Sequence, residues 1–353
     1  MSRLRGSCVK LLYKLRATLL IPPKTSVVIF DRHGADEIIP ILPTKSYCVF
    51  YTRGEIINIP SALLALFKHR FGLKFRHYAA EFIRLADAGF VVTYIDNNPN
   101  FYLLKNLHPG PMYISIQNGY RDRLLFDILA DKYKCFSLSA DLIFTFNSSI
   151  AKYYSQCIES RIVVHGSLKS NSNTFRDVQG SDILFISQYS QPVAKKNGEY
   201  FLPVGDRFLI PYSEFYQPDV SLLRLLSNYS VHHGLSFGVC GRTNGLEYET
   251  KFFESTLMHC GDWKYFPNSE EASSIERALS SKVVVFIDST LGYEALATGQ
   301  VCAVFSIRYL SHIPRSFGWE CGLSPEGRFW SSDPSLRRFD SVMSYCHSIT
   351  RTK

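Results

Sequence analysis

Several familiar carriers of chemistry are missing from this sequence. Among its 353 residues there is no Walker A sequence, no G-x-G-x-x-G after an apolar run and no G-x-S-x-G elbow. Kinase, nicotinamide-dehydrogenase and serine-hydrolase readings therefore lose their carriers. The nine cysteines stand singly, without C-x-x-C or paired spacing, and no secretory signal is read ahead of them. A reducing cytoplasm is the expected location. His33, His165, His312 and the pair His232/His233 lack metal-ligand spacing, so no metal and no other cofactor is expected. No apolar run reaches the ~18 residues of a membrane span. The net charge of +8 admits an anionic membrane surface or acidic substrates. Nucleic acid is not expected, because the basic residues are spread along the chain and no recognised binding motif accompanies them.

At 46% hydrophobic and 20% charged residues, the chain is globular in composition and long enough for two domains. The stretch KVVVFIDSTLGYEALATGQVCAVFS, residues 282–306, is the most informative. Val283 to Ile287 shows no polar alternation, which fits a β-branched strand covered on both faces, as in a parallel sheet. Gly292 to Thr298 then reads as a short helix, with Ser289 and Thr290 as N-cap candidates and Gly299 as its stop. A second strand follows from Val301 to Ser306. The resulting βαβ unit presents free N–H groups and a positive helix end at its first turn, a fit for phosphate. Glu294 lies one residue too far from Thr290 for a capping box, leaving its carboxylate for ribose hydroxyls. The competing reading is that Ser289 and Thr290 only cap a structural helix. In CGRTNGLEYE, Arg242 stands at a strand end before a turn and a helix carrying Glu247 and Glu249, and an arginine there holds phosphate bidentately.

The same pattern, an apolar run ending in polar residues, recurs along the chain and predicts an α/β, doubly wound architecture. It predicts a basic amphipathic segment over 1–24, a Rossmann-like domain over 25–167, a linker over 168–181, a second Rossmann-like domain over 182–330 and a helical tail over 331–353. A cleft between the two domains is the expected site. In the first domain the strand ends carry Asp31, Arg32 and His33; Arg53 and Glu55; Asp96, Asn97 and Asn98; and Gln117, Asn118 and Arg121. YCVFYTRGEIIN is read as one strand running out near Glu55. Asp31, Glu55 and Asp96 are the candidate general bases, with Asp96 preferred because Asn97 and Asn98 beside it suit sugar hydroxyls. Each carboxylate could instead pair with a nearby arginine, and the asparagines could be turn formers. The opening segment MSRLRGSCVKLLYKLRATLLIPPK would, as a helix, be basic and amphipathic, suited either to an anionic membrane surface or to the protein's own core.

TYIDNNPNFYLLKNL, ISIQNGYRD, VVHGSLKSN, GRTNGLEYETKFF and VVFIDSTLGYEALATG together resemble the bacterial surface-carbohydrate and O-antigen biosynthesis proteins. These are similar to two-Rossmann, GT-B-type glycosyltransferases and more distantly to teichoic-acid glycerophosphotransferases. The resemblance spans about residues 25–330. It implies transfer of a sugar from a nucleotide-sugar donor to a glycan or lipid-linked glycan acceptor on the cytoplasmic side, to which the basic opening segment adds peripheral attachment at the inner membrane face as one of its two readings. It also implies donor groups at Arg242, Ser289, Thr290, Gly292 and Glu294, and acceptor groups at Asn97, Asn98, Gln117, Asn118 and Arg121 beside the catalytic carboxylates. A nucleotide-sugar epimerase, a glycerophosphotransferase and a non-catalytic assembly subunit are the rival readings.

Overall fold

The computed structural model describes residues 16–121, 123–171, 175–190, 194–196, 199–204, 208–269, 272–308 and 324–350. It divides into two compact units, Met1–Gly119 with Arg123–Asn171, and Tyr120–Asp122 with Ser172–Lys353.

The first unit contains strands β1 (Arg16–Thr18), β2 (Val27–Phe30), β3 (Tyr47–Phe50), β4 (Ile56–Asn58), β5 (Phe90–Thr93), β6 (Met112–Ile116), β7 (Ser139–Thr145) and β8 (Glu159–Val164). Its helices are α1 (Ala35–Ile38), α2 (Ile59–His69), α3 (Phe75–Ala86), α4 (Pro99–Leu107), α5 (Arg123–Lys132), α6 (Ser148–Cys157) and α7 (Leu168–Asn171). Six strands form one parallel sheet in the order β3-β2-β5-β6-β7-β8. Period-2 side-chain alternation splits β2 between two cores: Val28 and Phe30 pack with α3 and α4, while Val27 and Ile29 pack with α1. That is why the strand carries no polar residue. The order of strand addition reverses at β2, with β3 on one side and β5 on the other, so the carboxyl ends of β2 and β5 flank a topological switch point.

The second unit contains β9 (Ile183–Ile186), β10 (Ala194–Lys196), β11 (Glu199–Val204), β12 (Phe208–Pro211), β13 (Phe237–Cys240), β14 (Trp263–Phe266), β15 (Val283–Phe286), β16 (Cys302–Phe305) and β17 (Trp330–Ser331). Its helices are α8 (Tyr212–His233), α9 (Glu247–Leu257), α10 (Ser274–Leu279), α11 (Thr290–Ala297) and α12 (Leu336–Thr350). The parallel sheet runs β14-β13-β9-β15-β16-β17. Counting only its own strands in chain order, this is the 3-2-1-4-5-6 arrangement of dinucleotide-binding sheets, with the switch point at β9 and β15. At the amino edge, Asp182 accepts from Ser236 N (2.8 Å) and Ser236 Oγ (2.6 Å) and pairs with Lys282 Nζ (2.7 Å), tying the starts of β9, β13 and β15 together.

The α/β, parallel-sheet reading holds for both units, and two details are corrected. Arg16–Thr18 is a strand paired in parallel with Ile56–Asn58 rather than the end of a helix; residues 1–15 lie outside the described residues, as does His312. The run YCVFYTRGEIIN is two strands, because β3 ends at Phe50, a turn follows, and Ile56–Asn58 leaves the large sheet to pair with β1. Between β9 and α8, β10, β11 and β12 form a three-stranded antiparallel sheet. The expected helical tail is α12, whose Phe339, Val342, Met343 and Cys346 are buried in the second unit's main core.

Candidate functional site

In the second unit, β13, β9 and β15 are neighbours, so the residues that follow them gather along one sheet edge. Parallel neighbours lie ~4.8 Å apart, which puts the ends of β13 and β15 about 10 Å from each other across β9. After β13 comes the loop of Arg242, whose side chain is exposed. The loop is built on Glu249, a fully buried carboxylate of α9. Glu249 accepts from Arg242 N (2.8 Å), Thr243 N (2.9 Å), Thr243 Oγ1 (2.5 Å), Ser187 Oγ (2.9 Å) and Tyr265 OH (3.0 Å). Five donors on one carboxylate fix the backbone that carries Arg242.

After β15, Ser289 is the N-cap residue of α11, and its side chain makes no cap hydrogen bond. Ser289 thus takes the expected N-cap position without supplying the cap hydrogen bond. Its hydroxyl sits at a helix start whose N–H groups are not met by a cap. Thr290 is the first residue of the helix, and its Oγ1 accepts from Tyr120 N at 2.8 Å. Gly292 has a packing role: a Cβ there would meet the Phe286 ring at 2.2 Å. Glu294 is buried within α11 and has a partner in the fold.

Sequence reasoning missed the ion cluster beside this turn. Arg308, after β16, bonds Asp219 Oδ2 (2.6 Å), both Asp288 oxygens (2.6 Å each), Gln188 Oε1 (3.3 Å) and Phe215 O (3.2 Å), and lies 4.3 Å from the Phe215 ring centroid. Burial would lower the Arg308 pKa, but Asp219 and Asp288 outweigh it and raise it, so the guanidinium stays charged. The available signal was Asp288 itself, a carboxylate directly after an apolar strand.

In the first unit, Asp31 and Asp96 follow β2 and β5, the two strands at the switch point. Asp31 is buried with φ 95°, a conformation that side-chain-bearing residues rarely adopt. It is held by His33 N (2.9 Å) and Thr52 Oγ1 (2.6 Å), with Arg53 Nε at 3.6 Å. Glu55 is exposed and accepts from Arg53 N at 3.1 Å. Asp31, Arg53 and Glu55 thus come together.

Asp96 has no exposed surface. Its Oδ1 accepts from Asn118 N (3.0 Å), and Tyr154 OH donates to Oδ2. Its backbone carbonyl accepts from Tyr102 OH (2.6 Å). Both carboxylate oxygens of Asp96 are thus hydrogen-bonded inside the fold, as are those of the buried Asp31. Asn97 is exposed, whereas Asn98 spends its Oδ1 on the N-cap of α4 (Asn100 N, 3.1 Å). Gln117 is buried, bridging Gly119 O (2.7 Å) and Phe146 N (2.8 Å). Arg121 clusters with the second unit, so its expected placement in the first domain is corrected; its Nη1 donates to Tyr120 O at 3.0 Å. Among the described residues, no three His, Cys, Asp or Glu side chains are grouped to hold a metal ion, and no helix is long and apolar enough to cross a membrane.

The sequence profile of a family described as "putative O-antigen biosynthesis protein" matches residues 114–353. No curated protein matches. Among solved structures, S. aureus MnaA with UDP is similar over 79% of this chain and 78% of its own, at 12% identity and a TM-score of 0.44. The E. coli heptosyltransferase WaaC with ADP-2-deoxy-2-fluoro heptose is similar over 92% of this chain and 99% of its own, at 11% identity and a TM-score of 0.37. E. coli ADP-heptose LPS heptosyltransferase II covers the same shares at 8% identity and a TM-score of 0.38.

Proposed function

The chain belongs to this O-antigen biosynthesis family, and from that premise we propose that it is a glycosyltransferase moving a sugar from a nucleotide-sugar donor to a surface-glycan intermediate. One observation carries the reading: at the reversal of a 3-2-1-4-5-6 sheet, the Arg242 loop and the Ser289 helix start stand on strands either side of β9. Both elements suit a diphosphate, the arginine by charge and the helix start by its N–H groups. Arg242 and the α11 start are the proposed donor groups, and they stabilise the charge on the departing nucleotide phosphate.

Asp31 and Glu55, flanking Arg53, are the proposed acceptor end, with Asn97 and Asn118 as neighbouring sugar-hydroxyl partners. A carboxylate there takes the acceptor proton as the glycosidic bond forms. The acceptor is a lipid-linked glycan, which places the protein peripherally at the inner face of the cytoplasmic membrane. No metal is required in this scheme.

The test is a thermal-shift screen of UDP-, GDP-, CDP- and CMP-sugars, since a bound donor raises the melting temperature by mass action. Arg242→Ala should weaken the stabilising nucleotide by about 1.5–3 kcal/mol. Unchanged affinity in that variant would move the phosphate site elsewhere. With donor and acceptor in hand, Asp31→Asn or Glu55→Gln should lower turnover by about 10²- to 10⁴-fold while leaving nucleotide affinity intact. Full activity in both variants removes the proposed base, and donor conversion without acceptor favours an epimerase.

A further inference from the structure

Helix α2 is packed the wrong way round for a soluble surface. It buries Ser61 and Ala65, which lie four residues apart on one side, and exposes Leu63, Leu66 and Phe67 on the other, with Phe67 83% exposed. An ordinary surface helix does the reverse. The stripe continues past the helix end to Leu73, also exposed. At its amino end, Asn58 caps the helix through Ser61 N (3.0 Å) and donates its Nδ2 to Leu20 O (2.8 Å). That bond holds a second run of exposed apolar residues, Leu19 to Ile21, against the start of the same helix, with Leu20 77% exposed.

Along the chain through α2 and the turn after it, the charge has one sign. No Asp or Glu occurs from residue 56 to residue 80, whereas Lys68, Arg70, Lys74 and Arg76 do. Lys68 is turned toward Glu81 (2.9 Å), and Arg76 lies over the Phe136 ring, but Arg70 and Lys74 are exposed beside Leu73. The chain also enters here: residues 1–15, with Arg3, Arg5, Lys10 and Lys14 among leucines, join at Arg16, which is in register with Ile56, just before α2.

We propose that the exposed Leu63–Leu66–Phe67 face of α2, with Leu19 to Ile21 and the cations at Arg70 and Lys74, docks on an anionic lipid bilayer surface. An apolar stripe with cationic flanks and no acid in its stretch of chain matches a bilayer interface, where the stripe enters the acyl boundary and the cations meet lipid phosphates. Pairing with a second copy fits less well, because a two-fold contact through the stripe turns its cationic flanks toward each other with no acid in that stretch to offset them. The proposal deepens the membrane-surface part of the transferase reading, and rests on it only for why a bilayer is there. Vesicle binding needs neither donor nor acceptor, so its failure and the failure of donor binding are separate results.

The experiment is flotation of the full chain with vesicles of phosphatidylcholine alone and of phosphatidylcholine with phosphatidylglycerol, at low and high salt. The chain should float with the anionic vesicles at low salt and less so at high salt, where charges are screened. Combined Leu63→Ser, Leu66→Ser and Phe67→Ser substitution should weaken binding by about tenfold or more with an unchanged melting temperature, because these side chains make little contact with the fold. Arg70→Gln with Lys74→Gln, an independent variant on the same surface, should weaken binding and flatten its salt dependence. Binding that survives the triple substitution overturns the proposal and places the contact in residues 1–15. A wild-type chain that ignores anionic vesicles, or a triple substitution that only converts a dimer to a monomer in sedimentation, overturns it as well.

Discussion

The residues that matter at the second unit's sheet edge hold one another as much as they face outward. Glu249 anchors the Arg242 loop without being exposed, and Arg308 is enclosed by Asp219, Asp288 and Phe215. Removing Arg308 strands a buried carboxylate. Arg308→Gln should therefore cost about 3–5 kcal/mol in urea unfolding, and adding Asp219→Asn should restore part of the loss. A loss under about 1 kcal/mol would mean that water or another cation serves Asp219. The strand-end positions of Arg242 and Ser289 were legible because each follows an apolar run that gives way to polar residues. The sequence hid Arg308, since nothing local says that an arginine ninety residues after Asp219 meets it in the core. The burial of Asp96 was hidden too: a carboxylate followed by two asparagines looks accessible until Tyr154 and Asn118 are known to cover it.

Among the elements, the buried parallel strands were the most legible, because Val27–Phe30, Ile183–Ile186 and Val283–Phe286 are apolar at every position. Strand β4 was merged with β3 because a turn of Thr52, Arg53 and Gly54 does not reveal that the chain then leaves the sheet. The amino edge of the second sheet depends on Asp182. Burial pushes its pKa up, but Lys282 and Ser236 more than offset this and hold it at about 2, below the ordinary aspartate range. A carboxylate lowered on folding adds stability above its unfolded pKa and loses it as pH falls through the folded one. Asp182→Asn should thus cost about 1–2 kcal/mol near neutral pH, with the difference from wild type shrinking between about pH 4 and pH 2. A constant difference across that range in denaturant titrations would show that shape, not charge, is what the position supplies.

For the whole chain, the proposed transfer gives the two units different work, and that division can be tested without knowing the sugar. Adding the stabilising nucleotide should slow amide exchange at the carboxyl ends of β9, β13 and β15, measured by mass spectrometry, and leave the β2–β5 end unchanged. Slowed exchange confined to the β2–β5 end would reverse the donor and acceptor roles. Both strand orders were beyond the sequence, because adjacency in a parallel sheet is set by crossovers, not by spacing along the chain.

The placement of β9 has a further consequence, for how the protein is made. It is the first strand of its sheet to leave the ribosome and the one that ends up in the middle. Its partners arrive late: Ile183 pairs with Phe237 on one side and with Val283, a hundred residues on, on the other. At about 5–20 residues per second, the fully apolar Ile-Leu-Phe-Ile waits for its second neighbour for about 5–20 s. During that interval an all-apolar strand has an unpaired edge, the kind of surface that draws other nascent chains. The second unit is thus the part of the molecule that depends most on chaperones during translation, and slow codons placed between residues 186 and 283 would lengthen its exposure.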